Sequence, residues 1–178
     1  MVDIRERVAE DRGWLKKLEL AIPGFRGYRK REDRRVADSL LRKQLADNLK
    51  KCSRTAEEIR ELLASQMELD MIKEAGALVN RLDALESKVR HAEQGYSGVS
   101  PDIKVLESEI EKLYEFDYSL IEGVKKLSTM LDSAKDSVML GDMDGFKTQL
   151  NAINSEIKEF MSTFNRRIET ISRTGAFA

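Results

Sequence analysis

Few residues in this chain could carry chemistry. It has one histidine, His91, and one cysteine, Cys52. Lys88 stands three residues before His91, so the Glu-x-x-His step by which helical bundles hold paired iron is missing. No metal, cofactor or transition-metal catalysis is expected. The 32 acidic side chains could serve as general acids or bases, but most fall on solvated helix faces and none forms a motif with His91. A phosphate-binding glycine loop, a metalloprotease helix and a nucleophile elbow are all missing, so the chain reads as a non-enzyme. Cys52 cannot form an internal disulfide, and its helical spacing between Leu49 and Ala56 marks a small buried apolar group rather than a reactive thiol.

One carboxylate stands apart. Asp117 falls between Leu113 and Leu120, on a line of apolar residues, with Tyr114, Phe116 and Tyr118 in the same two turns. Such an acid could form a polar ligand or catalytic site, or it could accept a hydrogen bond from a tyrosine or from an arginine of the basic segment described next. A polar group on a helix seam lowers stability but sets register. The structural pairing is the preferred reading, and it requires Asp117 to be buried with an Arg, Lys or Tyr donor.

The second chemistry-bearing stretch is IPGFRGYRKRE, in which Phe25 and Tyr28 lie between arginines. Pro23 restricts Ile22, and Gly24 and Gly27 open backbone angles closed to other residues, so a helix must stop and the chain must turn. The rings are expected to dock on a bundle end. Arg26, Arg29, Arg31, Arg34 and Arg35 follow within about three helical turns, and guanidinium planes beside rings could stack on bases. Residues 26–54 carry 11 basic and 4 acidic side chains, against 7 and 15 in residues 55–117, although the whole chain is at -1. The segment could therefore hold nucleic acid or an anionic surface. Against that, Glu32, Asp33 and Asp38 are interleaved as intrahelical partners and the pI is about 6.0, short of the basic signature of such binders. Antiparallel helices would also bring the two blocks together internally.

The elements that must position these residues are helices. Pro is present twice and Gly ten times, against 35% charged residues, as in long amphipathic helices. From residue 101 to 140 the seam Ile103, Leu106, Ile110, Leu113, Asp117, Leu120, Val124, Leu127, Leu131, Ala134, Val138 keeps heptad steps. Helices are expected at about 2–20, 29–64, 69–94, 101–140 and 143–172. Val36, Leu40, Leu45, Leu49, Cys52, Ala56, Ile59 and Leu63 are the expected inner face of the second, and Phe146, Leu150, Ile153, Ile157, Phe160, Phe164, Ile168 and Ile171 that of the fifth. No Gly or Pro ends the second helix; a turn at 65–68 is placed on a shift of phase. Without it, residues 29–94 would be one helix of about 66 residues, roughly 100 Å long. The loop GYSGVSP, with Tyr96, precedes Pro101, and Asp142 is the expected cap of the fifth helix. The whole is an all-α, long antiparallel helical bundle with coiled-coil-like packing, four long helices plus a shorter N-terminal one, in a single domain over 1–178. No run reaches the roughly 18 apolar residues of a membrane span, and the charged N-terminus does not resemble a signal peptide, so a cytoplasmic protein is expected.

Two segments resemble those of a family of uncharacterised prokaryotic all-helical proteins. Pro23, Gly24, Phe25, Arg26, Gly27 and Tyr28, followed by a charged helix with ADSLLR, match one; Gly95, Tyr96 and Gly98, then Leu113, Tyr114, Glu115, Phe116 and Asp117, match the other. VSPD follows the second glycine where the family pattern has an aromatic link. The resemblance implies a helical fold and a set of positions, without an activity. The resulting expectation is a non-catalytic scaffold or adaptor binding another protein through bundle ends or exposed heptad surface. Its candidate contacts are Phe25, Arg26, Tyr28, Arg29, Arg31, Arg34, Arg35, Tyr96, Tyr114 and Asp117, and self-association is a further possibility. Nucleic-acid or anionic-surface binding through residues 26–54 is the alternative, and a ligand carrier or enzyme centred on Asp117 is the second.

Overall fold

A computed structural model of the chain describes residues 4–28, 31–92 and 107–174, with side chains at 13–28, 35–92 and 108–173. Five helices account for nearly all of these residues: α1 (Ile4–Ala21), α2 (Arg31–Ser65), α3 (Leu69–Arg90), α4 (Glu107–Met139) and α5 (Met143–Thr174). The fold is an all-α bundle, as the heptad steps require. The loop at 95–101 and the start expected for the fourth helix at Pro101 lie outside the described residues, as do Arg29 and Tyr96.

The C-terminal ends of α1, α2 and α4 each have a local cause. After α1 the amide of Phe25 donates to the carbonyl of Ile22 at 3.1 Å, and Gly24 adopts φ +84° behind Pro23, the pattern of a type II turn. The turn between α2 and α3 falls where the phase shift placed it, at 65–68. Here Glu68 N–H donates to the Leu63 carbonyl at 3.0 Å and Met67 N–H to that of Ala64 at 3.2 Å, a Schellman closure with Met67 at φ 61° in the position glycine normally fills. The end of α4 repeats it with the expected glycine: Asp142 N–H reaches Ser137, Gly141 N–H reaches Val138, and Gly141 has φ 74°. Asp142 then caps α5, its carboxylate accepting from Gly145 N–H at 2.9 Å.

The chain divides into two compact units, one built from Met1–Gln44, Ala92–Ile121 and Ser162–Ala178, the other from Leu45–His91 and Glu122–Met161; α2, α4 and α5 contribute to both. The second unit is a closed ring of four helices. Lys50 and Ser53 of α2 meet Asp83 of α3; Arg81 of α3 donates to Asn154 of α5 at 2.7 Å. Lys126 of α4 pairs with Glu156 of α5, and Lys135 of α4 with Glu58 of α2 at 2.7 Å. Leu49, Cys52, Ile59, Leu82, Leu85, Leu127, Leu131, Ile153 and Phe160 fill the interior. Each hairpin is antiparallel, and the Gln66 amide donates to the Val138 carbonyl at 3.0 Å, which places both turns at one end of this unit.

In the first unit, Trp14 of α1 lies 5.0 Å from the Tyr118 ring of α4, with the Lys17 ammonium 4.5 Å above Trp14 and 5.0 Å above Tyr118. The apolar face assigned to the start of α2 needs correction: Val36 is 58% exposed, and Ala37, Asp38 and Leu41 are buried in its place. Ile168 is likewise only half-buried. Among the described residues, no helix is long and apolar enough to cross a membrane.

Candidate functional site

Continued through their polar members, the heptad steps explain both corrections. In α5 the buried positions 146, 150, 153, 157, 160, 164 and 171 alternate four and three when Arg167, not Ile168, occupies the penultimate step. In α2 the seam Leu63, Ile59, Ala56, Cys52, Leu49 and Leu45 extends back to Arg42 and Asp38 by the same alternation. Asp117 is the polar member in α4. Three helices thus aim charged seam residues into the first unit.

They meet there with Tyr28 from the turn after α1. Asp117 and Tyr28 are 0% exposed, Arg167 1% and Asp38 3%. The Arg167 guanidinium is the hub: Nε donates to Asp117 Oδ1 at 2.5 Å, Nη1 pairs with Asp38 Oδ1 at 2.8 Å, and Nη2 donates to the Tyr28 hydroxyl at 3.1 Å. That hydroxyl donates in turn to Asp117 Oδ2. Arg42 Nε holds the other oxygen of Asp38 at 2.8 Å, and its Nη1 donates to the Ala92 carbonyl at 2.9 Å. Among the described residues, two carboxylates thus face two guanidinium groups in one largely buried network. No polar side-chain atom of Tyr28, Asp38, Asp117 or Arg167 is left without a partner.

Asp117 is therefore buried with both an arginine and a tyrosine donor, as required of it. The arginine comes from α5, however, and not from the basic segment. Burial raises the Asp117 carboxyl above its usual range, and Arg167 followed by the Tyr28 hydroxyl opposes that rise. Burial, then the neighbouring Asp117 charge, pushes the Tyr28 phenol well above 10.0. Burial works against the charge on Arg167, yet Asp117, Tyr28 and Asp38 together hold the guanidinium well above its ordinary value. The Tyr28 phenol and the Arg167 guanidinium thus both keep their protons at neutral pH.

An aromatic wall closes it. The Tyr28 and Tyr114 rings stack at 5.3 Å, and Phe25 meets Tyr28 edge-on at 5.5 Å. The Tyr28 N–H donates to the Tyr114 hydroxyl at 2.9 Å. Gly27, at φ +81°, makes this approach possible: a Cβ there would stand 2.5 Å from the Tyr114 hydroxyl and 2.9 Å from Leu15. The PGFRGY turn and the LYEFD stretch of α4 thus converge on one structure.

Of the candidate contacts, Phe25, Tyr28, Tyr114 and Asp117 lie inside this network, while Arg26 and Arg35 are exposed. Arg31 and Arg34 lie on α2, with side chains outside those described. Within the second unit the basic and acidic blocks do meet: Lys50 pairs with Asp83 at 3.0 Å. Among the described residues no group of three or more His, Cys, Asp and Glu side chains is arranged to hold a metal. Sequence reasoning missed Arg167 and Arg42 and gave Asp38 an intrahelical partner, which Arg42 supplies, but not its place in the network; the unbroken four-three step was the signal that pointed to all three. Comparison of the chain with protein-family models, curated proteins and solved structures returned no match.

Proposed function

We propose that this chain is a non-catalytic helical scaffold or adaptor of the cytoplasm that binds another protein. The supporting observation is where its unpartnered apolar surface lies. Among the described residues, four of the six large apolar side chains left exposed belong to the two adjoining turns of the second unit: Met67 at 83%, Leu69 at 76%, Met139 at 61% and Leu140 at 84%. Monomers seldom gather such side chains on one end without a use for them. The polar network, by contrast, is buried, and its polar side-chain atoms are paired with other described residues, which suits a lock on helix register better than a site that must admit a substrate. The likeness of the PGFRGY and LYEFD segments to the prokaryotic helical family enters this reading as kinship in that lock.

Affinity capture from the native host tests the reading, with the wild-type chain beside a Met67→Gln, Met139→Gln, Leu140→Gln triple variant. The expected outcome is a defined protein retained by the first and lost by the second, with thermal unfolding of the two chains unchanged. Retention of the same proteins by both would overturn it.

A further inference from the structure

We infer that the two-turn end of the second unit docks a basic amphipathic helix of a partner protein, its apolar stripe on Met67, Leu69, Met139 and Leu140 and its cations on the surrounding carboxylates. The inference rests on the adaptor reading and adds the chemistry of the partner. Residues 65–72 carry Glu68 and Asp70 and residues 136–146 carry Asp136, Asp142 and Asp144, five acids against the three bordering lysines Lys73, Lys135 and Lys147. Lys135 is paired with Glu58, and Lys147 stands 3.9 Å from Asp144. Asp70, Asp136, Asp142 and Asp144 are exposed. The hydrogen bond from Gln66 to Val138 holds the two segments side by side, so apolar and acidic groups share one end. Such a surface complements a helix with apolar residues at i, i+3, i+4 and i+7 and lysine or arginine beside them.

Met67 adds an independent sign. It occupies a left-handed backbone position, φ 61°, where the equivalent turn after α4 uses Gly141. An L side chain is strained there, and this one is exposed, so it adds nothing to the core of the monomer. Methionine is also the residue that adapts best to varied apolar partners. Other occupants fit less well. A second copy meeting end to end would set like-charged carboxylates against each other, and an anionic membrane or a nucleic acid would meet the same repulsion.

The test uses the full chain, ¹⁵N-labelled, titrated with a designed lysine–leucine peptide of about 18 residues, five helical turns, with leucines on one face. Controls are the same leucines with glutamates in place of lysines, the lysine–leucine composition with helical spacing scrambled, and phosphatidylserine vesicles. The lysine peptide should bind with shifts concentrated in residues 65–72 and 136–146, and tighter at low salt. The glutamate peptide, the scrambled peptide and the Met67→Gln, Leu140→Gln variant with the lysine peptide should each be weaker by at least about tenfold, the loss expected from roughly one large apolar contact. The inference is overturned if the lysine peptide does not bind, if its shifts lie elsewhere, or if the glutamate peptide binds equally well. Vesicle binding that depends on Met67 and Leu140, or dimerisation mapped to these residues by sedimentation, would replace it with another occupant. A host protein captured through Met67, Met139 and Leu140, with no binding of the lysine peptide, would leave the adaptor reading standing and sink only this partner class.

Discussion

Among the described residues, Arg167 is the side chain that bonds to Asp38, Asp117 and Tyr28 together, so the first unit should depend on it strongly. Arg167→Met would leave Asp117 buried without a cation, a loss that typically costs about 3–5 kcal/mol. Tyr28→Phe removes one hydroxyl bonded to charged groups and should cost about 1–3 kcal/mol. Urea unfolding of the two variants checks that order, and a Tyr28→Phe protein weaker than Arg167→Met would refute the hub assignment. Cys52 supplies the pH dependence: burial, with Asp132 next, raises its thiol from 9.0 to about 11. The unfolded thiol loses its proton first, so the stabilisation is complete below pH 9.0 and is lost as pH rises toward 11. Stability measured across that window should fall more steeply in the wild type than in Cys52→Ala.

Two helix ends of the same geometry but different residue type permit a matched comparison at the level of elements. Gly141 and Met67 both close Schellman turns with positive φ. No atom lies within 4 Å of a Cβ built on Gly141, so Gly141→Ala would incur the backbone cost alone, about 1 kcal/mol. Met67→Gly should do the reverse, gaining about 0.5–1 kcal/mol after the greater freedom of glycine in the unfolded chain is subtracted. Thermal unfolding of the pair reads both signs. Destabilisation by Met67→Gly would mean that the methionine side chain supports the monomer after all. The two turns differ as sequence as well. LGDMDG declares itself by its glycines, whereas SQMELD could be located only from the phase of the apolar residues around it.

For the whole molecule, the charge segregation along the chain decides between an internal and an external use of the basic segment. Arg42 is committed to Asp38 and Lys50 to Asp83, while Arg26 is exposed. On the adaptor reading, random DNA and RNA should give no gel shift even at low salt. A shift whose affinity falls by several powers with rising salt would transfer the leading role to the basic segment.

Periodicity was enough to determine an all-α bundle, the turn at 65–68 and most of the described apolar interior, because burial of one helix stripe leaves a step of three and four residues in the chain itself. It also singled out Asp117 as a buried acid in need of a donor. Which donor it met was beyond that reach. Apolarity alone points Val36 and Ile168 inward, whereas the charged Asp38, Arg42 and Arg167 occupy the true seam. A charged side chain is stable in a core only when its counter-charges arrive from other helices, and Arg167 meets Asp38 and Asp117 across 129 and 50 residues of chain. Only the tertiary structure could bring those charges together, and only it could place two distant turns, apolar and acidic, at one end.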